Sequence, residues 1–164
     1  MPFITIILFG ALAGSFALII ELFTMSLFPF SFTLEGVFSF RILFGFFLFA
    51  LIEEISKYIF LFRYRRYAPS ESTSTLFTSL ILAILFGIGF SSLEIIFTSQ
   101  NTVVTPLFPI MRTLFLHIGT SLLLIYFFFR LPQQNRLFTL KGLWVISGVM
   151  FLHLLYNILV FLTV

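Results

Sequence analysis

Glu53, Glu54 and Lys57 stand together inside an apolar run, 37–62, that is long enough to cross a membrane. An ionised side chain at the centre of such a helix costs roughly 2.5–3.5 kcal/mol on insertion scales. A chain that keeps three of them side by side must meet them with partners from other helices. Lys57 is four residues from Glu53 and three from Glu54, so it shares a helical face with both and can pair with either. Other polar residues interrupt later apolar runs: Glu94, one turn after Phe90; His117; and His153, which shares a face with Asn157. This set has chemical uses. A carboxylate in a dry site can take a proton from water, and two adjacent carboxylates can divide the roles of acid and base. Histidines can donate to an oxyanion, relay protons or bind zinc, and an Asn amide can stabilise an oxyanion. Together they predict a water-activating hydrolytic site within a membrane. The metalloprotease pattern of two His flanking Glu on one helix is absent. The histidines come from different runs, so local spacing does not signal a zinc site.

The elements that must position these residues follow from composition. Of the 164 residues, 60% are hydrophobic and 9% charged, with a mean hydropathy of +1.18. About a quarter of a soluble domain is charged, so the chain reads as an all-α polytopic membrane protein, a transmembrane helix bundle of one domain over 1–164. Five spans are predicted, over about 3–28, 37–62, 76–98, 107–129 and 142–161. Pro29 ends the first, and Glu35-Gly36 forms the turn before the second. The formal charge of +3 does not point to nucleic acid, because six of the nine Lys and Arg lie in two short loops, 63–75 and 130–141. The alternate loops, 29–36 and 99–106, hold none, which places the N-terminus in the cytoplasm and the C-terminus outside. Cysteine is absent, which excludes disulfides, thiolate metal sites and a cysteine nucleophile. The first run lacks a basic flank and is span-length, unlike a signal peptide.

Helix arithmetic gives depths from the cytoplasmic ends. Glu54 lies about 13 Å in, His153 about 18 Å and His117 about 20 Å, near the middle of a core about 30 Å thick. Glu94 comes out at about 28 Å. Its span either starts before the hydrocarbon or tilts, or Glu94 belongs to the outer rim.

The order Glu53-Glu54-x-x-Lys57, Phe90-x-x-x-Glu94, His117, His153-x-x-x-Asn157, on four successive spans, resembles the PrsW family of intramembrane proteases. That family lies in the wider group of CAAX prenyl endoproteases and Abi/CPBP proteins, to which a γ-secretase scaffold subunit is distantly related. The CAAX-type relatives carry Glu-Glu-x-x-x-Arg and Phe-x-x-x-His, so the PrsW branch fits better. The resemblance covers the core motifs in 37–163. It implies an endopeptidase acting on membrane-associated proteins in a prokaryotic cell membrane, where PrsW-like proteins cleave membrane-bound anti-sigma factors. It implies Glu53 as the water-activating base, with Glu54 and Lys57 setting its charge state. His117 would orient the water or bind a metal, Glu94 would be base partner or metal ligand, and His153 and Asn157 would form the oxyanion side. PrsW proteins are classed as metalloproteases, and the CAAX branch is argued to use glutamate alone. Zinc is therefore a candidate cofactor, with Glu94, His117 and His153 as candidate ligands.

Structural readings compete with each of these. The Glu53/Glu54/Lys57 cluster could fix helix packing, and His117 could bridge helices. His153 and Asn157 could do the same, such bonds being worth about 0.6 kcal/mol on average. Glu94 could neutralise Arg112, and Glu21 could pair with Arg41. Arg63, Arg65 and Arg66 read as topology determinants in a loop. At the level of function, a non-catalytic membrane scaffold and a proton or ion conductor compete with the protease. Intramembrane Glu and His chains also serve relays, although the inverted repeats of many transporters are not evident.

Overall fold

The computed structural model describes residues 2–28, 40–67, 76–99, 107–130 and 139–162. These form five helices, α1 (Pro2–Leu27), α2 (Phe40–Tyr67), α3 (Leu76–Ser99), α4 (Leu107–Arg130) and α5 (Leu140–Leu162). Inside a bilayer every backbone N–H and C=O must be bonded within its own segment, so long apolar runs settle as helices. The helices α1, α3, α4 and α5 are each long and apolar enough to cross. The longest, α2 with 28 residues, has the length but carries Glu53, Glu54 and Lys57 at its middle.

The helices close a ring, α1–α3–α4–α5–α2, and α2 also touches α4 across its centre. The α1–α3 seam explains how the ring packs without a hydrophobic driving force between helices. A Cβ on Gly10 would come within 2.2 Å of the Phe86 carbonyl oxygen, and one on Gly89 within 2.2 Å of that of Ile7. A Cβ on Gly14 would lie 2.7 Å from the Phe90 oxygen. Only glycine lets the two backbones approach this closely. The paired positions rise together along both helices, so α1 and α3 run parallel, as two helices separated by one return crossing must. Opposite the seam, Ile4, Leu8, Ile19 and Phe23 are exposed at helical spacing and face the lipid.

Four of the helices begin and end within two residues of the bounds read from the sequence, and α2 departs from them. It begins at Phe40 and runs on to Tyr67. Arg63 to Tyr67 are therefore the last turns of a helix, not a loop. Tyr64 is buried in the core, and the Arg65 guanidinium donates to the backbone carbonyl of Phe128 in the last turn of α4. Terminal carbonyls lack partners inside their own helix, so Arg65 caps a neighbouring one. Of the six basic residues that carry the charge asymmetry, five lie within the described helices and Arg136 lies outside the described residues, as do 29–36, with the Glu35-Gly36 turn, and 100–106.

Candidate active site

Where the helices meet, the core is polar. Glu54, Lys57, Ser91, His117, Thr120, Ser121 and His153 are all buried. Each helix contributes: Glu21 from α1, Glu53, Glu54 and Lys57 from α2, Phe90 and Glu94 from α3, His117 and Thr120 from α4, His153 from α5. All four acidic residues of the described segments, and both histidines, gather here.

The pairing choice left open by spacing is resolved. Lys57 Nζ donates to Glu54 Oε1 at 2.7 Å and to Thr120 Oγ1 at 2.8 Å, and it lies 4.6 Å from the centre of the Phe90 ring. The Thr120 hydroxyl in turn donates to the carbonyl of His117 at 3.4 Å. The lysine thus spends its donors on one carboxylate, one hydroxyl and one aromatic face, which is how a buried ammonium is tolerated. Glu54 Oε1 also accepts from His153 Nδ1 at 2.7 Å. An ionised carboxylate offers only acceptors, so Nδ1 carries hydrogen and the Nε2 edge of His153 turns towards Glu53.

Glu53 is left without such partners. Its Oε2 is buried and unbonded, as is His117 Nδ1, and the two lie 3.7 Å apart. His153 Nε2 is 3.9 Å from the same oxygen. On its other edge, His117 Nε2 meets Glu94 Oε2 at 2.5 Å. Glu94 therefore belongs to the site and not to the outer rim, and Arg112 instead lays its guanidinium over the Phe108 ring. The depth count fails because α3, about 36 Å long at 24 residues, exceeds a core of about 30 Å; its first residue does not mark the membrane edge.

The donor atoms suit a divalent ion. One atom each from Glu53, Glu94 and His117 lie within 4.8 Å of one another. Two unbonded buried atoms 3.7 Å apart, one carboxylate oxygen and one imidazole nitrogen, have the chemistry and rough spacing of ligands on a shared zinc with bonds of about 2.0–2.2 Å. Glu53 thus joins the candidate donors, and His153 lies outside this cluster, its Nδ1 held by Glu54 and its Nε2 3.9 Å from Glu53 Oε2.

Two residues escaped the sequence reading. Thr120 sits one turn from His117 on the same face, a spacing that could have flagged it. Glu21 is the only ionisable side chain of α1. It does not pair with Arg41, which is exposed. Instead it lines a cavity with Glu53 and Glu94 and comes within hydrogen-bonding reach of Glu53. Asn157 is half-buried, and its side chain makes no hydrogen bond among the described residues.

A helical membrane bundle that gathers carboxylates and histidines around a pair of unbonded donor atoms has the groups that an intramembrane hydrolase needs. The chain matches the model of the PrsW family of intramembrane metalloproteases over residues 3–164, and it belongs to that family. No curated relative and no solved structure matches it. It is accordingly an integral membrane protein and a protease.

Proposed function

We propose that the chain is a single-domain intramembrane endopeptidase that hydrolyses peptide bonds of membrane-associated proteins, with Glu53 as the group that takes the proton of the attacking water. The observation that carries this is the unbonded Glu53 Oε2, buried and flanked by His117 Nδ1 and His153 Nε2. A buried carboxylate oxygen without a donor is costly, and a fold keeps one where a substrate or water will use it.

Glu54 and Lys57 form the fixed ion pair that locks His153 by its Nδ1. Held so, the imidazole presents Nε2 to the reacting centre, where in its doubly protonated form it donates to an oxyanion. Asn157, one turn along α5, offers an amide to the same side. His117 is aligned by Glu94, as a carboxylate aligns a metal-binding imidazole. Glu53 and His117 Nδ1 would hold zinc between their unbonded atoms, with Glu94 behind the ring; when bound, zinc would polarise the substrate carbonyl and acidify the attacking water. The charge of the 63–75 and 130–141 loops supports an N-terminus in the cytoplasm. The kinship with PrsW proteins supports a prokaryotic cell membrane and, as substrates, membrane-anchored regulators. That kinship weighs against a scaffold and against an ion conductor, as does a full set of chemically competent residues.

The test is Glu53→Gln, which keeps shape and removes the proton acceptor. Cleavage of a membrane-anchored substrate in proteoliposomes should fall at least 100-fold, the usual scale for losing a general base, with insertion and thermal stability kept. Full activity in this variant would remove Glu53 from the role.

A further inference from the structure

The α1–α3 seam is closed along Gly10, Gly14 and Gly89, where no side chain fits between the backbones. One turn further it opens into a cavity of about 220 Å³ that runs from Glu53 and Glu94 to the outer surface of the bundle. Its mouth is formed by Leu22, Met25 and Phe97, each about two-fifths exposed, and Leu18 lies deeper on the same wall. Midway stands Glu21, whose Oε1 is buried and unbonded. A bilayer surrounds this mouth with hydrocarbon, so what enters laterally must be apolar outside and must bring a donor to Glu21.

We propose that this cavity is the subsite that receives the substrate chain, taking one bulky apolar side chain beside the scissile bond while Glu21 Oε1 accepts a backbone N–H of the same segment. The proposal rests on the endopeptidase reading and adds to it the entry side, the chemistry of the flanking residue and a binding role for Glu21. A peptide bond can be attacked only where the substrate helix has unwound. Unwinding frees N–H groups that hydrocarbon cannot satisfy, and an acceptor placed beside the reacting carboxylate meets that need. A lipid chain would fill the same space but leave Glu21 unpaired. The volume suits a side chain of Leu or Phe size, since a cavity of about 150 Å³ already holds a benzene ring. A second groove, between α4 and α5 and lined by Leu123, Trp144, Gly148 and Leu152, is apolar and has no carboxylate or histidine in its lining, so it serves as the internal control.

The experiment reconstitutes the Glu53→Gln protein in liposomes with a leucine-rich peptide of about twenty residues, enough to span. The peptide carries a central Gly-Ala break and a diazirine-bearing leucine next to it. Cross-links should map to residues 18–25 of α1 and to Phe97. Glu21→Leu should lower their yield about tenfold, the scale of one buried hydrogen bond, and Glu21→Gln, which keeps an acceptor, should restore it. Leu22→Trp, at the exposed mouth, should block them by a similar factor. Cross-links in the α4–α5 groove, no cross-links, or yields indifferent to Glu21→Leu and Leu22→Trp would overturn the proposal. Cleavage of the unlabelled peptide by wild type is followed in parallel. Cleavage without cavity cross-links sinks the subsite alone, and cavity cross-links without cleavage sink the endopeptidase reading alone.

Discussion

His117 Nε2 stands 2.5 Å from Glu94 Oε2, joining α4 to α3 at the floor of the cavity. The contact fixes which edge of the imidazole remains for chemistry, because the nitrogen engaged by Glu94 cannot also face Glu53. The free nitrogen, Nδ1, is the one directed at Glu53 Oε2. Glu94→Gln keeps the size of the side chain and weakens its grip on the ring. It should lower kcat/KM for substrate cleavage ~10–100-fold, the range for removing a carboxylate behind a metal-binding histidine. An effect under twofold would reduce Glu94 to packing.

The Glu54–Lys57 pair carries a different expectation, because both side chains are fully buried. Lys57→Met removes the cation and leaves Glu54 with His153 alone. Breaking one partner of a buried pair costs about 3–5 kcal/mol, so this variant should unfold at markedly lower denaturant than wild type. Adding Glu54→Gln removes the stranded charge, and the double variant should recover part of the loss. Denaturant unfolding in detergent micelles checks it: additive losses would show that the two side chains do not depend on each other.

The spans were legible because hydrocarbon imposes one rule on long stretches, and 60% apolar residues leave few ways to satisfy it. The end of α2 was not, because Arg63, Arg65 and Arg66 resemble a polar loop until Tyr64 is seen buried and Arg65 is seen capping α4. The site residues were legible as a set, since ionisable groups in apolar runs stand out. Their partnerships were not. Glu94 looked misplaced because residue counting measures distance along a helix and not depth. Glu21 looked like a surface pairing because a single acidic residue in α1 has no local spacing to give it meaning. The neighbours that give it one, Glu53 and Glu94, arrive from two other helices.

The glycines separate packing from propensity. Gly10→Ala puts a methyl group 2.2 Å from the Phe86 carbonyl oxygen, so the α1–α3 backbones must part. A cost of about 1–3 kcal/mol is expected, as for other overpacked contacts. Gly148→Ala, in α5, meets nothing within 4 Å. It should be neutral or stabilising by up to about 1 kcal/mol, the helix propensity difference. Thermal unfolding of the two variants side by side reads the difference; equal shifts would mean that the tight seam does not hold α1 in place.

Metal content separates the two histidines. His117 Nδ1 is unbonded and faces Glu53, whereas His153 Nδ1 is bonded to Glu54 and its Nε2 lies 3.9 Å from Glu53. If zinc occupies the gap between Glu53 and His117 Nδ1, His117→Ala should lose it and His153→Ala should retain most of it while losing cleavage. Zinc per chain is measured on detergent-purified protein beside peptide hydrolysis. Loss of zinc in both variants would bring His153 into the donor set through Nε2, with Nδ1 still held by Glu54. Full cleavage by wild type with no stoichiometric metal, unchanged by a chelator, would mean that Glu53 activates water unaided. The unbonded nitrogen of His117 would then be waiting for the water itself, held between it and Glu53 by the 3.7 Å gap that a shared ligand would otherwise fill.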